Sequence, residues 1–233
     1  MYDFPGKIVD RMLLAEASVG FHPISFAAPT PLHDARRLAK RVFDIVFSVA
    51  ALAISVPLCL AIALAIRAET RGPILFRQRR LGLDGQSFEI LKFRTMRHDR
   101  HDTALAQATR GDPRVTRVGE FLRRTSLDEI PQFLNILRGD MSVVGPRPHA
   151  PGTKAGGRLF EDVASRYADR HRVKPGLTGL AQVRGWRGET DTELKLLRRV
   201  ESDLEYIETW SLWLDLRIVF RTVPALLGQR NAW

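Results

Sequence analysis

The feature that most constrains this chain is an apolar stretch from Phe43 to Ile66, which reads FDIVFSVAALAISVPLCLAIALAI. An α-helix needs about 20 apolar residues to cross a bilayer, so the stretch is long enough. Pro57 lies near its middle, where a proline removes a backbone hydrogen bond and kinks or breaks a helix. Basic residues flank the stretch on both sides: Arg36, Arg37, Lys40 and Arg41 before it, and Arg67, Arg71, Arg77, Arg79 and Arg80 after it.

Both flanks of the stretch are expected on the same side of a membrane. Basic residues next to a membrane helix stay on the cytoplasmic side, and here both ends carry them. We therefore predict a re-entrant helix that enters the membrane, breaks at Pro57 and returns. A spanning helix with a proline kink and a helix buried in a protein core are the alternatives.

The charge of the chain favours a polyanionic partner. The 233 residues carry a formal net charge of +10. Nucleic acid, anionic lipid and phosphorylated small molecules all suit such a balance. The sequence has no recognisable motif for binding DNA or RNA, and nucleic-acid binding would not explain the apolar stretch, so nucleic acid is not an expected partner.

Two adjacent carboxylates, Asp128 and Glu129, form the candidate reactive centre. They follow Ser126, and the Ser-x-x-Glu spacing predicts a helix N-cap with a capping box as the structural interpretation. Arginines crowd the sequence around them, however, and a helix start gains nothing from these cations. They suit a phosphate, which a neighbouring carboxylate can attack when the phosphate charge is neutralised. The arginines are Arg114, Arg117, Arg123 and Arg124 before the pair and Arg147 after it.

The remaining pattern predicts an α+β fold that is mainly helical with a small β-sheet. Residues 72–97 predict a hairpin that turns at Leu83-Asp-Gly-Gln. The segment from Trp210 to Leu227 combines aromatic and apolar residues with arginines, as in an amphipathic helix at a membrane interface, and a helix docked on the core is the alternative. Further predictions are a helix after Ser126 that ends at Gly139, a helix over Glu161 to Val173, a strand over Leu180 to Val183 and a helix over Thr192 to Glu208.

Four segments, in order, resemble the pattern of the bacterial sugar transferases. They are KRVFDIVFSVAALAISVPL, GPILFRQRRLGLDGQSFEILKFRTM, GDPRVTRVGEFLRRTSLDEIPQFLNILRGDMSVVGPRP and KPGLTGLAQVRG. These enzymes are the monotopic polyprenyl-phosphate phosphoglycosyl transferases that initiate exopolysaccharide, O-antigen and glycan assembly. The resemblance covers about residues 38–225, and the chain corresponds to the short form, without room for the N-terminal transmembrane bundle of large members.

The resemblance implies a reaction and a place for it. Members transfer a sugar-1-phosphate from a UDP-sugar to undecaprenyl phosphate at the cytoplasmic face of the bacterial inner membrane, and they release UMP. The transferred group would be a hexose-1-phosphate, such as that of galactose or glucose. Inner-membrane lipids are further expected partners, and a homodimer is compatible with the sequence. The implied division is an N-terminal tail (1–37), a re-entrant membrane helix (38–68) and a cytoplasmic catalytic domain with an interfacial C-terminal helix (69–233).

The resemblance also implies roles for the two carboxylates. Asp128 would be the nucleophile that forms a phosphosugar-aspartyl intermediate. Glu129 would orient the pair, and both carboxylates would help to hold Mg²⁺. A membrane-bound scaffold without activity is the alternative function.

Other site residues follow from the same motifs. Arg123 and Arg147 match family arginines expected at phosphates, and Lys92 and Arg94 are further phosphate candidates. The Lys174–Gly179 loop would shape the nucleotide-sugar pocket. Its candidate residues are Lys174, Gly176 and Thr178.

One departure from the family pattern concerns the proline of the membrane helix. Many members have a serine directly before this proline, whereas here the order is Ser55-Val56-Pro57. A serine hydroxyl near the break can bond carbonyl groups that the proline leaves without a donor.

Overall fold

The computed structural model describes residues 34–97, 112–186, 188, 190 and 192–227. The helices are α1 (Asp34–Glu69), α2 (Arg117–Thr125), α3 (Gln132–Arg138), α4 (Phe160–Val163), α5 (Leu180–Val183), α6 (Glu193–Thr209) and α7 (Leu212–Leu227). The strands are β1 (Leu75–Leu81), β2 (Ser87–Phe93), β3 (Ser142–Val144), β4 (Lys154–Ala155), β5 (Arg158–Leu159) and β6 (Gly176–Thr178). The described residues are thus mainly helical with small sheets, as predicted. Residues 1–33 of the predicted N-terminal tail lie outside the described ranges.

Helix α1 contains the whole apolar stretch and is continuous over 36 residues, with Pro57 inside it. It is long and apolar enough to cross a membrane, and only 11% of its most apolar window is buried against the rest of the chain. The interpretation as a buried core helix is therefore wrong. The helical assignment is not interrupted at Pro57, so the re-entrant course stays a prediction. Next to the proline, the Ser55 hydroxyl donates to the Leu52 carbonyl at 3.1 Å.

Both ends of α1 contact the rest of the described chain. Near its start, the Arg41 guanidinium donates to the carbonyls of Ile136 and Leu137 at the end of α3, at 2.6 and 2.7 Å. At its far end, the Glu69 carboxylate accepts the backbone N–H groups of Arg117 and Val118 at the start of α2, at 2.8 and 2.9 Å. The middle of α1 presents large exposed apolar side chains, including those of Ile54, Leu60 and Leu64.

The predicted hairpin is confirmed. Strands β1 and β2 pair antiparallel, with Leu75 opposite Phe93 and Leu81 opposite Ser87. The turn between them is a 3₁₀ helix, Leu83–Gly85. Two other strand pairs complete the sheets of the described residues: β3 runs parallel to β6, and β4 runs antiparallel to β5.

The predicted N-cap at Ser126 is wrong. Ser126 instead ends α2 in the left-handed conformation, with φ 59°, and a 3₁₀ helix, Leu127–Glu129, follows it. Helix α3 begins only after Pro131, which occupies the N-cap position. A proline has no N–H group, so it fits the start of a helix, where backbone N–H groups have no partner within the helix. The Glu129 side chain bonds to Lys92 and Arg147, so it does not close a capping box. The end of α3 at Gly139 is confirmed, with φ 96° at that glycine.

Two predicted elements downstream also differ from the structure. The helix expected over Glu161 to Val173 is split into α4 and a 3₁₀ helix, Tyr167–Arg172, with Ala164 extended between them. The break lets Phe160 and Tyr167 both pack on the buried His149 ring, so tertiary packing overrides helix propensity. The strand expected over Leu180 to Val183 is the short helix α5, because a short apolar run does not distinguish helix from strand.

The last two helices are close to their predicted positions. Helix α6 begins after Thr192, whose hydroxyl accepts the Lys195 N–H at 3.3 Å. Helix α7 buries Asp215 and Ile218 in the core and leaves Trp213 67% and Phe220 74% exposed. It is therefore docked on the core through one face, while the opposite face carries the aromatic residues expected at an interface.

Two apolar clusters hold these elements together. The larger surrounds β3, α3 and α6, with Ile136, Val144 and Leu196 at its centre. The smaller joins the end of α1 to the hairpin and α2 through Ile66, Phe93 and Leu122. The segment that carries Asp128 lies in the chain between α2 and α3 and packs against β2.

Candidate active site

The Glu129 carboxylate is held by two cations. Lys92, on β2, donates to Glu129 Oε1 at 2.8 Å, and Arg147 Nη1 donates to Oε2 at 3.2 Å, while Arg147 Nη2 also bonds to Oε1. Burial alone would raise the pKa of Glu129, but the charges of Arg147 and Lys92 outweigh it and hold the pKa well below its usual value. Glu129 therefore favours its ionised form, and its oxygens hold Arg147 and Lys92 in place.

The neighbouring Asp128 carboxylate differs from Glu129 in its hydrogen bonding and in the direction of its pKa shift. Only 7% of the residue is exposed, and within the described part of the chain its side chain accepts no hydrogen bond. Lys92 Nζ lies 3.6 Å from Asp128 Oδ2. Burial raises the pKa of Asp128, and the Glu129 charge adds to this, against the opposing charges of Lys92, Arg147 and Arg123. A carboxylate that is desolvated and not hydrogen-bonded is a stronger nucleophile than one that is tied up by donors.

The backbone around Arg147 is fixed by the loop that precedes and forms β6. The Gly145 N–H donates to Thr178 O, and the Gly176 N–H donates to Pro146 O, both at 2.9 Å. A Cβ on Gly176 would lie 2.1 Å from the Gly145 nitrogen, so only glycine permits this approach. Gly176 and Thr178, predicted to shape a substrate pocket, thus act here on the chain segment that presents Arg147.

Three other predicted residues, Arg123, Arg94 and Lys174, have different surroundings from one another. The Arg123 Nε donates to the Thr95 hydroxyl at 2.8 Å, and its charge lowers the pKa of Asp128. Arg94 is buried, and its guanidinium donates to the Thr70 and Arg71 carbonyls just after α1, at 3.1 and 2.8 Å. Lys174 Nζ and Arg41 Nη2 both approach Gly139, at 3.5 and 3.8 Å from where its Cβ would lie, and burial together with the Arg41 charge lowers the pKa of Lys174. The structure therefore brings Lys92, Arg123 and Arg147 to the carboxylate pair, and it places Arg94 and Lys174 in contacts with α1 and the segment after it.

A buried network behind Arg147 escaped the sequence reasoning. Arg170 Nε donates to Asp203 Oδ2 at 2.7 Å, and Arg170 Nη2 donates to the Arg147 carbonyl at 2.8 Å. Arg199 Nη1 donates to His149 Nε2 at 3.1 Å, and His149 Nδ1 lies 2.9 Å from the Tyr167 hydroxyl. Arg170 Nη1 also lies 3.0 Å from His149 Nδ1, so a guanidinium, which can only donate, faces each ring nitrogen, and this environment favours a neutral imidazole.

The network carries more positive than negative charge. Burial, followed by the charges of Arg170 and Arg199, holds the pKa of His149 well below its usual value. Burial also lowers the pKa of Arg80 and of Arg199 to about 10 in each case. No local pattern could have revealed these contacts, because His149 lies 21 residues from Arg170 and 50 from Arg199.

The two carboxylates are also the predicted metal ligands. The described residues contain no group of three or more His, Cys, Asp or Glu side chains that could hold a metal ion. Mg²⁺ needs only one or two protein carboxylates when substrate phosphates complete its shell. Asp128, whose side chain accepts no hydrogen bond from the described residues, fits a Mg²⁺ ion of that kind, whereas both oxygens of Glu129 already bond to Lys92 or Arg147.

The fold and the site together define a protein with a helix long and apolar enough to cross a membrane and a buried carboxylate pair among several cations. The chain belongs to the bacterial sugar transferase family, whose sequence profile matches residues 35–229, so the resemblance inferred from its motifs is confirmed.

Several curated relatives are similar to the chain. The UDP-glucose:undecaprenyl-phosphate glucose-1-phosphate transferase of Escherichia coli (strain K12) is 53% identical over 194 residues, which cover 83% of this chain and 41% of the relative. The protein of the same name from Caulobacter vibrioides is 50% identical over 232 residues, or 99% of this chain and 85% of the relative. The exopolysaccharide production protein PSS of Rhizobium leguminosarum bv. phaseoli is 49% identical over 191 residues, or 82% and 96%. The chain thus spans less than half of the E. coli protein's length.

Proposed function

We propose that the protein transfers a sugar-1-phosphate from a UDP-sugar to undecaprenyl phosphate, releasing UMP and forming an undecaprenyl-diphosphate-sugar. This would be the first step of exopolysaccharide or glycan assembly. The observation that carries the proposal is the buried Asp128 carboxylate, which accepts no hydrogen bond from the described residues, beside a Glu129 that two cations hold. Family membership supports the reaction class. Glucose is the proposed sugar, since the E. coli and C. vibrioides relatives bear the name of UDP-glucose enzymes.

The first step is an attack by Asp128 on the phosphorus that bears the sugar. A carboxylate oxygen forms a new P–O bond, the bond from that phosphorus to the bridging oxygen breaks, and UMP leaves with the electron pair. The product is an acyl phosphate, a mixed anhydride of the Asp128 carboxyl group and the sugar phosphate. Arg147 and Lys92 lie next to Asp128 and would neutralise the phosphate oxygens as charge shifts toward the leaving group.

The second step returns the enzyme to its starting state. A phosphate oxygen of undecaprenyl phosphate attacks the same phosphorus, and the bond from phosphorus to the Asp128 oxygen breaks. The carboxylate is regenerated, and the lipid carries the diphosphate-sugar. Because the two substrates use one nucleophile in turn, the kinetics would be ping-pong.

Magnesium would support this chemistry by neutralising the phosphate oxygens that face the carboxylates. Asp128 and Glu129 would hold the ion together with the phosphates of the donor. Glu129 keeps Lys92 and Arg147 in position at the same time, because both cations bond to its oxygens.

The site would lie at the cytoplasmic face of the inner membrane, with α1 as a re-entrant helix. Two observations support this arrangement. Basic residues occur on both flanks of the apolar stretch. The two ends of α1 bond to α3 and α2, the helices on either side of the segment that carries Asp128 and Glu129. The exposed apolar middle of α1 and the exposed aromatic face of α7 would then contact lipid.

UMP release from a panel of UDP-sugars tests the proposal. Detergent-purified protein would be assayed with Mg²⁺, with and without undecaprenyl phosphate. We expect at most one UMP per enzyme without the lipid, and repeated turnover only when undecaprenyl phosphate is present, with the greatest rate for UDP-glucose. Asp128→Asn should abolish UMP release, whereas Asp162→Asn, the same change at an exposed aspartate, should leave it unchanged. Folded protein that releases UMP from no sugar would instead support the inactive scaffold.

A further inference from the structure

A second polar pocket lies away from the carboxylate pair, between α5, α6 and α7. Its volume is about 150 Å³, or roughly the space of five water molecules. Leu180 and Ile218 contribute apolar surface, and Arg184, Glu205, Arg217 and Arg221 contribute charge. None of its lining residues contacts Asp128 or Glu129, so it is a site of its own.

The pocket has an excess of positive charge. Arg184 is neutralised by Glu205, with which it forms two hydrogen bonds of 2.5 and 2.6 Å. Arg217 and Arg221 are exposed, and in the described part of the chain neither side chain has a hydrogen bond or an ion pair. Two free guanidinium groups one helical turn apart form a ready site for a phosphate group, which arginine binds in a bidentate manner.

The position of these arginines on α7 indicates where the phosphate comes from. At 100° per residue, Arg217 and Arg221 lie at about 40° and 80° from Trp213 around the helix axis, and Phe220 lies at about −20°. Ile218, which is buried, lies at about 140°. The arginines thus occupy the border between the exposed aromatic face and the buried face.

That border is the level of the lipid headgroups when an amphipathic helix lies in a membrane interface. Aromatic side chains enter the boundary of the acyl chains, and basic side chains beside them reach the phosphates. On α7 the basic border faces the pocket, so a headgroup bound there would have its acyl chains next to Trp213 and Phe220.

We propose that this pocket binds the phosphate headgroup of an anionic phospholipid of the bilayer. The proposal rests on the membrane placement of α7 proposed above, and it does not depend on the transfer reaction. The bound lipid would fix the orientation of α7, which is connected to the Arg147 segment: the Thr222 and Thr178 hydroxyls lie 2.7 Å apart, and Thr178 O accepts the Gly145 N–H.

Native mass spectrometry of the full-length protein in detergent tests the proposal. Phosphatidylglycerol and phosphatidylcholine would be titrated at equal concentrations, and inorganic phosphate and UMP would be added as competitors. We expect preferential binding of phosphatidylglycerol that inorganic phosphate and UMP do not displace. Arg217→Ala/Arg221→Ala should weaken that binding by about 25-fold, since each basic residue near an anionic surface contributes about fivefold.

The matched control is Arg158→Ala/Arg198→Ala, which removes two exposed arginines outside the pocket and changes the net charge equally. It should leave phosphatidylglycerol binding unchanged, and thermal unfolding should show that both variants are folded. Unchanged binding in the pocket variant, or an equal loss in the control, would overturn the proposal. Displacement of the lipid by inorganic phosphate or UMP would assign the pocket to a soluble phosphate and also overturn it. Neither result would bear on UMP release at Asp128.

Discussion

The buried ion pair of Arg170 and Asp203 should be essential for both stability and the position of Arg147. Both side chains are 2% exposed, and Arg170 Nε lies 2.7 Å from Asp203 Oδ2. Replacing Asp203 by asparagine keeps the shape of the side chain but removes its charge. The guanidinium of Arg170 then remains buried with the positive charges of Arg199 and Arg147 near it.

The size of the effect follows from the geometry. Unit charges 2.7 Å apart attract by about 6 kcal/mol at an effective dielectric constant of 20. Asparagine still accepts a hydrogen bond, and measured losses for breaking a buried pair on one side are about 3–5 kcal/mol. At about 2–4 °C per kcal/mol for a chain of this length, Tm should fall by about 6–20 °C.

The assay compares thermal unfolding and UMP release in three variants. Asp203→Asn should show the full loss in Tm. In Arg170→Met/Asp203→Leu the uncompensated charge is gone, so most of the stability should return. Transfer should not return, because the Arg147 carbonyl has lost its donor, and a displaced Arg147 can reduce kcat by on the order of 10²-fold. Glu201→Gln breaks the exposed pair with Arg198 and should cost about 1 kcal/mol or less.

Three results would refute parts of the reasoning. A loss in Asp203→Asn no larger than that in Glu201→Gln would mean that the buried charge is not costly. A double variant that is less stable than Asp203→Asn would mean that packing of these side chains, and not charge, is what the pair supplies. Full activity in the double variant would remove Arg170 as the residue that positions Arg147.

Four further predictions address the site and the membrane helix. Arg147→Ala should lower kcat by about 10²-fold or more through loss of a phosphate donor, and an unchanged rate would give Arg147 a structural role. Burial and the charges of Arg170 and Arg199 hold the pKa of His149 well below its usual value. Below about pH 6.5, His149 therefore binds a proton in the unfolded chain but not in the folded protein. Stability should therefore fall by up to ~1.4 kcal/mol per pH unit on acidification, and unfolding of His149→Gln between about pH 7.5 and 5.5 should lack this part of the loss. EDTA should abolish UMP release and Mg²⁺ should restore it; full activity in EDTA would count against a metal. Pro57→Ala should favour a straight spanning helix, and unchanged accessibility of single cysteines introduced on either flank would argue against a hinge at the proline.

Local signals predicted much of the fold. The hairpin was predictable because its turn residues and strands are contiguous in sequence, and α6 was predictable because Thr192 caps a periodic segment. The basic residues expected beside Asp128 and Glu129 were predictable in part: Lys92 and Arg147 bond to Glu129 in the structure. The catalytic role of the carboxylate pair stays a prediction.

The errors arose where distant contacts decide the local structure. Ser126 and Glu129 have the spacing of a capping box, yet Glu129 bonds to Lys92, which lies 37 residues earlier in the chain. The helix expected over Glu161 to Val173 breaks because Phe160 and Tyr167 both pack on His149. In each case the partner lies far away in sequence, so no window of the chain contains the information.

The contacts of α1 give a reason for combining a membrane helix and this site in one short chain. The N-terminal end of α1 is anchored to the end of α3 through Arg41, and its C-terminal end is anchored to the start of α2 through Glu69. Asp128 lies in the segment that joins α2 to α3, so both helices that flank the proposed nucleophile are fixed to one long apolar helix. If α1 lies in the bilayer as proposed, its depth would set the height of Asp128 above the membrane. A lipid phosphate cannot leave the interface, so a nucleophile held at constant height would meet it without a separate docking step.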